Sequence, residues 1–372
     1  MEVIFVRSPY FIEIDEAGQV ESKVELFIWR KGEDEPATAP TYTLTKQAAS
    51  TTQTKNIYNI SNYVKEYIDI VSPTSVGGGI VQENNNNWCY VKVKTYSATI
   101  DGYNYLLSTN YYVASNGYTN YLNRYNNSIN STFIPMNVFQ QNKEYKYYES
   151  GNIDFPYLTF FIDYTNDADD YSVRYSNFES SPTTSDVLFL SGDAEEQYLV
   201  SIPINEGTLD FIDGCKVEIL KNDAVIATYI FKAECETKYN PLRIDYINRF
   251  GAWDFITFFK ARTQQWEVKN KEYQLLLDDV NYNPLRGESK AFNYEAKQSI
   301  KVNTGWVDET YNEFIKDLMT SETILLYDYE TSIQKPVKLK TMSTDLKTSL
   351  QDKMINYQIE FEYNYNQINN VI

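Results

Sequence analysis

The stretch "NRFGAWDFITFF", Asn248–Phe259, decides how the last third of this chain is read. It gathers Phe250, Trp253, Phe255, Phe258 and Phe259 around one glycine, Gly251, with Arg249 and Asp254 among them. Alternation puts Trp253, Phe255, Thr257 and Phe259 on one face of a strand and Ile256 and Phe258 on the other. Both faces are apolar, which is how a strand buried between two layers reads. Trp253, Phe255 and Phe258 are therefore core candidates rather than a ligand platform. Arg249 and Asp254 are expected to pair at its ends, and Gly251 to permit a bend or bulge.

Upstream, after Pro241, "LRIDYIN" reads as an edge-like strand. Downstream, "GWVDETYNEFIKDLMTS" predicts a helix over 306–321. Val307, Tyr311, Phe314, Ile315 and Leu318 share one face, and Asp308 and Glu309 lie in the first turn, where the helix dipole favours anions. Phe314 and Leu318 join the core list. "ETILLYDY" and "PVKLKTM" read as strands, and "NYQIEFEYNYNQI" closes the sequence with near-perfect alternation. Ile359, Phe361, Tyr363 and Tyr365 face one way there, with Phe361 the core candidate, and Gln358, Glu360, Glu362 and Asn364 face the other.

The first two thirds read as short strands parted by polar turns. "YFIEI" (10–14), "SKVELFIWR" (22–30), "PTYTLTKQ" (40–47), "WCYVKVKTYSA" (88–98) and "NYYVAS" (110–115) form one group. Between them, Ile60, Tyr63, Val64, Tyr67 and Ile68 recur at helical spacing, with Ser61 or Asn62 as the cap of a short helix. Gly77–Gly79 and Asn84–Asn87 read as a loop tip. A polar, low-complexity run near 120–150 marks a boundary. Beyond it come "YLTFFIDY" (157–164), "VLFL" (187–190), "YLVSIPI" (198–204), "CKVEIL" (215–220) and "VIATYIFKAE" (225–234), the last two joined by a "KNDA" hairpin turn. The expected fold is mainly β. Tandem β-sandwich domains of immunoglobulin or fibronectin type occupy 1–120 and 121–238, followed over 239–372 by a β-rich α+β domain carrying the one helix.

Composition bounds the chemistry. With 372 residues, 42% hydrophobic and 23% charged, the chain has the make-up of a globular protein able to bury a core. Its net charge of −18 opposes phosphate backbones, so nucleic acid is not an expected partner. There is no histidine, which removes Ser-His-Asp and Cys-His mechanisms and the commonest transition-metal ligand. Cys89, Cys215 and Cys235 form no CxxC pair and fit reduced, buried thiols, with a Cys215–Cys235 bridge as the alternative. An acid at position 2 and the lack of an apolar run speak against a signal peptide, and no run of about 18 apolar residues suits a spanning helix.

Few residues suggest a site. Asp163, Asp167, Asp169 and Asp170, in "DYTNDADDYS", offer hard oxygen ligands for Ca²⁺. The run lacks the glycine and closing glutamate of an EF-hand, so a solvated hairpin loop is the favoured reading. No cofactor is expected. Abundant Tyr, Trp and Asn suit sugar binding by stacking, against the plainer reading that they fill sheet cores and subunit interfaces.

Three blocks carry a resemblance: "LRIDYINRFGAWDFITF", "WVDETYNEFIKDLMTSETILLYDY" and "PVKLKTMSTDLKTSLQDKMINYQIEFEYNYNQI". Together, over Tyr239–Ile372, they resemble the C-terminal region of structural proteins in tailed phages of Bacteroidota hosts, including the crAss-like group. An Asn-Arg-Phe-Gly-x-Trp-Asp strand, a helix ending in a Leu-x-x-Ser-type turn and a Tyr-rich closing strand recur there in this order. The resemblance implies a bacteriophage virion structural protein of the neck or tail, a ring protein or tail-hub component without enzymatic activity. It would be made in the host cytoplasm and assembled as a homo-oligomer. Its implied partners are other copies of itself in a ring and neighbouring neck and tail proteins, with no nucleic acid and no membrane. The closing strand and the 306–321 helix are the expected ring contacts. A glycan-binding adhesin or receptor-binding tail protein is the alternative, and a carboxylate glycosidase a third reading.

Overall fold

A computed structural model describes the chain except residues 1, 31, 51, 72–81, 84–86, 100–101, 122–127, 132, 148–156, 165–168, 179–183, 191–195, 205–213, 235–237, 277–279, 282, 347–354 and 369–372. The fold is mainly β: twenty-four strands in five sheets against two α-helices among the described residues. Contacts divide it into two compact units, Met1–Cys235 with Ile247–Phe255, and Glu236–Tyr246 with Ile256–Ile372. The first unit thus takes in both segments expected as separate sandwiches, and most of the opening stretch besides.

Unit 1 is built on a six-stranded sheet ordered β4 (Tyr42–Gln47), β3 (Glu21–Trp29), β7 (Trp88–Thr99), β8 (Gly102–Ser115), β1 (Glu2–Phe5), β9 (Ser128–Asn130). Neighbours run antiparallel except β1 and β8, which are parallel. The strand expected at 110–115 is the end of the longer β8. Alternation gives this sheet two apolar faces. On one, Val24, Leu26, Ile28, Val91 and Val93 pack with Ile12, Ile14 and Tyr58 of the two-stranded β2 (Phe11–Asp15) and β5 (Lys55–Asn59), and with Ile60 and Val64. Ile60 and Val64 belong to the short helix α1 (Ser61–Lys65) and its N-cap. Neither Ser61 nor Asn62 caps it: Ile60 is the N-cap, and the Ser61 hydroxyl accepts from Tyr10 N–H (2.7 Å) and donates to Ser8 C=O (2.7 Å). On the other face, Val3, Phe5, Trp88 and Val113 pack with Ile134, Met136, Phe161, Leu199 and Ala252. This second core draws on both the 1–120 and the 121–238 segments.

Those latter residues come largely from a four-stranded sheet, β10 (Phe133–Pro135), β12 (Tyr157–Tyr164), β15 (Glu196–Pro203), β6 (Gln82–Glu83). A five-stranded sheet completes the unit: β11 (Glu144–Tyr147), β17 (Ala224–Ala233), β16 (Gly214–Lys221), β13 (Tyr171–Asn177), β14 (Thr184–Leu190). The expected turn between β16 and β17 is a two-residue hairpin, with Asn222 and Asp223 at φ 49° and 63°, the left-handed pair that matches strand twist. Phe160 of the four-stranded sheet meets Tyr229 of the five-stranded one at 5.9 Å, and the Tyr175 hydroxyl donates to Pro203 C=O at 2.7 Å.

Unit 2 holds a seven-stranded sheet ordered β19 (Trp253–Phe258), β18 (Leu242–Ile247), β22 (Ile324–Asp328), β23 (Ile333–Leu339), β24 (Gln358–Tyr363), β21 (Ser289–Asn303), β20 (Thr263–Gln274). The first three residues of β19 count with unit 1. β18 is no edge strand: it lies between β19 and β22 and all six of its residues are buried. The closing strand β24 shows the expected alternation, with Ile359, Phe361 and Tyr363 buried. It is paired on both sides, with β21 and with β23.

The helix α2 spans Tyr311–Thr320, shorter than the expected 306–321. Val307 spends its backbone N–H (2.8 Å) and C=O (2.7 Å) on a bridge to Ile355, so the helix cannot start there. The Asp308 carboxylate instead accepts from Thr310 N–H just before the first turn (2.9 Å). Phe314, Ile315 and Leu318 form the buried face of α2.

Candidate functional site

The feature of unit 2 with no counterpart in the sequence reading is the hairpin of β20 and β21. β20 is exposed at all twelve positions, and β21 is buried only toward its C-terminal half, from Ala296. The register pairs Trp266 with Gln298, Val268 with Ala296 and Gln264 with Ile300. Ile300 in turn opposes Phe361 of β24, so Trp266 and Val268 lie on the continuation of the core face. They are nevertheless 57% and 56% exposed, because the apolar face runs on past the elements that cover it. A register shift between Lys269 and Lys271 interrupts the ladder opposite Asn293, whose φ is 50°. Beyond it Tyr273 and Phe292 meet edge to face at 5.5 Å.

The distal end is closed by local bonds. Leu275 N–H donates to Glu288 C=O (2.7 Å), and the Asn283 side chain accepts from Leu285 N–H (3.0 Å) to start a 3-10 turn over Pro284–Arg286. Leu276, Val280 and Leu285 stand there more than nine-tenths exposed. Over 263–303 the basic residues Lys269, Lys271, Arg286, Lys290, Lys297 and Lys301 balance Glu267, Glu272, Asp278, Asp279, Glu288 and Glu295. The hairpin is electrically neutral in a chain of net charge −18. The period of two in "AFNYEAKQSIKVN" and the "NYNPLRG" turn residues are signals by which the sequence announces it.

The opening stretch behaves differently. Within unit 1, the turn Asn248–Ala252 lies against the segment after β8. Tyr118 N–H donates to Arg249 C=O (2.6 Å) and the Ser115 hydroxyl to Phe250 C=O (2.8 Å). Two glycines make the approach possible. A Cβ on Gly251, at φ +84°, would stand 2.7 Å from Asn116 N, and one on Gly117 would stand 2.5 Å from Arg249 O. Gly251 therefore serves a backbone-to-backbone contact as well as a turn. The buried Asp254 carboxylate accepts from the side-chain amides of Asn137 (2.6 Å) and Asn248 (2.6 Å) and from Val138 N–H (3.0 Å). The Arg249 guanidinium lies 5.1 Å over the Phe250 ring. Trp253 Nε1 donates to Val71 C=O (2.9 Å), and Phe255 joins Phe139 and Phe231 at 5.2 and 6.4 Å. These polar atoms are engaged with the protein's own groups, as a buried network requires.

The six core candidates, Trp253, Phe255, Phe258, Phe314, Leu318 and Phe361, are all buried. Of the acidic run, Asp167 and the side chain of Asp163 lie outside the described residues. Asp169 bonds Lys221 (2.8 Å) and Asn222 (3.0 Å), and the Lys221 ammonium holds its carboxyl below the usual aspartate range. Asp170 is exposed. Among the described residues no three His, Cys, Asp or Glu side chains converge as metal ligands. Cys89 and Cys215 are buried free thiols, and burial pushes the Cys89 thiol up; Cys235 lies outside the described residues, as does the Gly77–Gly79 loop. No helix among the described residues is long and apolar enough to cross a membrane.

Unit 2 also holds a buried ion pair. Arg243 and Asp245, two apart on β18, meet through Nε–Oδ1 (2.7 Å) and Nη2–Oδ2 (3.1 Å), and Gln334 Nε2 donates to Asp245 Oδ2 (3.1 Å). Burial works against the Arg243 charge, but Asp245 and Tyr329 hold its pKa above the ordinary arginine value. The guanidinium lies 4.6 Å over Tyr327. The pair is closed off within the sheet and is a packing element. The β20–β21 hairpin, by contrast, is exposed along its outer strand, electrically neutral and apolar-edged. Compared with known proteins, the sequence matches no family model and no curated protein.

Proposed function

We propose that this chain is a structural protein of a bacteriophage virion, a ring or hub component of the neck or tail, made in the host cytoplasm and working through protein–protein interfaces rather than catalysis. The observation that carries the reading is the 263–303 hairpin. Its twelve-residue outer strand is exposed throughout, and its apolar side chains continue a core face into solvent. A contiguous apolar face left in solvent marks an interaction surface. The resemblance over Tyr239–Ile372 supports the same reading. The sheets of the first 238 residues are read within it as tandem sandwiches of immunoglobulin or fibronectin type. The hairpin joins the closing strand and the 306–321 helix as a candidate subunit contact.

The test is mass spectrometry of purified virions of the phage that encodes the chain. Peptides of this protein are expected at several copies per particle, and their absence from intact particles sinks the proposal. A second reading, a glycan-binding adhesin, draws on the exposed indoles of Trp266 and Trp306, 57% and 64% exposed. Saturable binding on a glycan array, lost in Trp266→Ala or Trp306→Ala, would favour it over a ring component.

A further inference from the structure

We propose that the free edge of β20 is a strand-pairing site for a second copy of this chain, antiparallel and two-fold, with Val268 opposite Val268. β20 ends the order of the seven-stranded sheet, so among the described residues β21 is its one strand partner. Twelve residues at about 3.4 Å each give roughly 40 Å of edge, about twice the length of an ordinary strand. Its sequence, "TQQWEVKNKEYQ", holds no proline or glycine to block pairing.

Charge selects the occupant. The body of the chain carries the whole net charge of −18, so two copies repel across most of their surfaces, while the hairpin is neutral and adds nothing to that repulsion. The strand is also complementary to itself. About a two-fold axis at Val268, Glu267 faces Lys269 of the partner subunit, and the symmetry makes the pair twice. Opposite charges in facing positions stabilise a sheet and like charges destabilise it. A centre at Glu267 or at Lys269 would set a like charge against itself. Centres at Trp266, or between successive residues from Trp266 to Lys269, bring no opposite charges together. The Val268 axis also joins Trp266 and Val268, which share one face of β20, to their symmetry mates in one apolar stripe across both copies. An isologous contact closes at two copies. In a ring it would link protomers of two stacked rings, and it holds equally if the virion reading fails.

The experiment is sedimentation equilibrium on the full chain and on two exposed-site variants, E267K and K269E. The wild type is expected to dimerise. Each variant alone sets like charges opposite each other twice and should weaken the dimer on the order of tenfold. Mixing E267K with K269E puts opposite charges back in both positions, so the mixture should recover a heterodimer as tight as the wild type. Unfolding cannot mimic that recovery. A wild type that stays monomeric at every reachable concentration, a single variant that keeps the wild-type dimer, or a mixture that stays monomeric overturns the proposal.

Discussion

β19 and β20 follow each other in the chain, each carries a tryptophan, and they end in opposite environments. All six residues of β19 are buried, and all twelve of β20 are exposed. The aromatic content does not separate them. What separates them is the treatment of polar groups. β19 has one charged side chain, Asp254, and three donors from unit 1 converge on it. β20 has four, and its Glu267–Lys269 contact (3.2 Å) sits with both side chains about half exposed or more, where water does most of the solvation. β19 enters the core with its one charged group held by fixed partners, and β20 stays outside with more charges than a core could match.

The sharpest test of that contrast is the pair of tryptophans. Trp253→Ala removes a buried indole and its bond to Val71, and should cost ~3–5 kcal/mol. Trp266→Ala should stay within ~0.5 kcal/mol, as exposed substitutions do. Urea melts of both variants read the difference, and equal midpoints would dissolve the comparison. Next comes Gly251→Ala. The left-handed backbone alone costs ~1–2 kcal/mol for a residue with a Cβ, and the new atom would also press on the backbone at Asn116. A variant of Gly32, at φ +85° with nothing within 4 Å of its Cβ position, should lose the conformational part alone. If the two glycine variants melt together, the contact between the Gly251 turn and Asn116 carries no energy. Asp254→Asn keeps the shape but offers a donor where a donor already points, leaving one buried contact unmade, at the low end of ~1–3 kcal/mol. Unchanged stability would mean that the amides of Asn137 and Asn248 reorient freely.

The strands were legible wherever hydrophobic periodicity and burial coincide. "SKVELFIWR" falls within a residue of β3, β24 is the middle of "NYQIEFEYNYNQI" with Tyr365 exposed beyond it, and the Asn222-Asp223 turn is visible as "KNDA". The partners were not legible. Asp254 is bonded to Asn137 and Val138 more than a hundred residues away, and Gly251 meets Gly117 over a similar span, so nothing local announces these contacts. The helix start was misplaced because Val307 fits the helical face as well as it fits the bridge to Ile355 that claims its backbone. Sheet membership is not legible from local pattern either: β12 and β15 belong to one sheet, while β16 and β17 belong to another. The hairpin was missed although its alternation is plain, because its apolar positions are thinly spread among charges.

The smallest expected effect lies on the outer face of β24, the polar side of an otherwise buried strand. Glu360 bonds Lys340 (2.8 Å) and Ser299 (2.9 Å), and Glu362 bonds Lys338 (2.9 Å). These lysines hold both carboxyls below the ordinary glutamate value of 4.5. A carboxylate with a lowered folded pKa prefers the native state, so its contribution is complete above 4.5 and is lost as pH falls through the lowered values. Lys340 carries the mirror image: its pKa is raised from 10.5 by Glu360, so its share is present below 10.5 and fades as pH climbs past the raised value. Between those limits the pairs add a flat increment. Lys340→Met should therefore lower Tm by about a degree or two near neutral pH, since exposed pairs contribute little. The difference from wild type should shrink on acidification below the glutamate range, where Glu360 is protonated in both proteins. Equivalent melts in high salt should shrink it as well. A Tm difference that stays constant from neutral to strongly acid pH would mean that Lys340 acts through the packing of its methylene stem, and that the outer face of β24 owes its order to shape rather than charge.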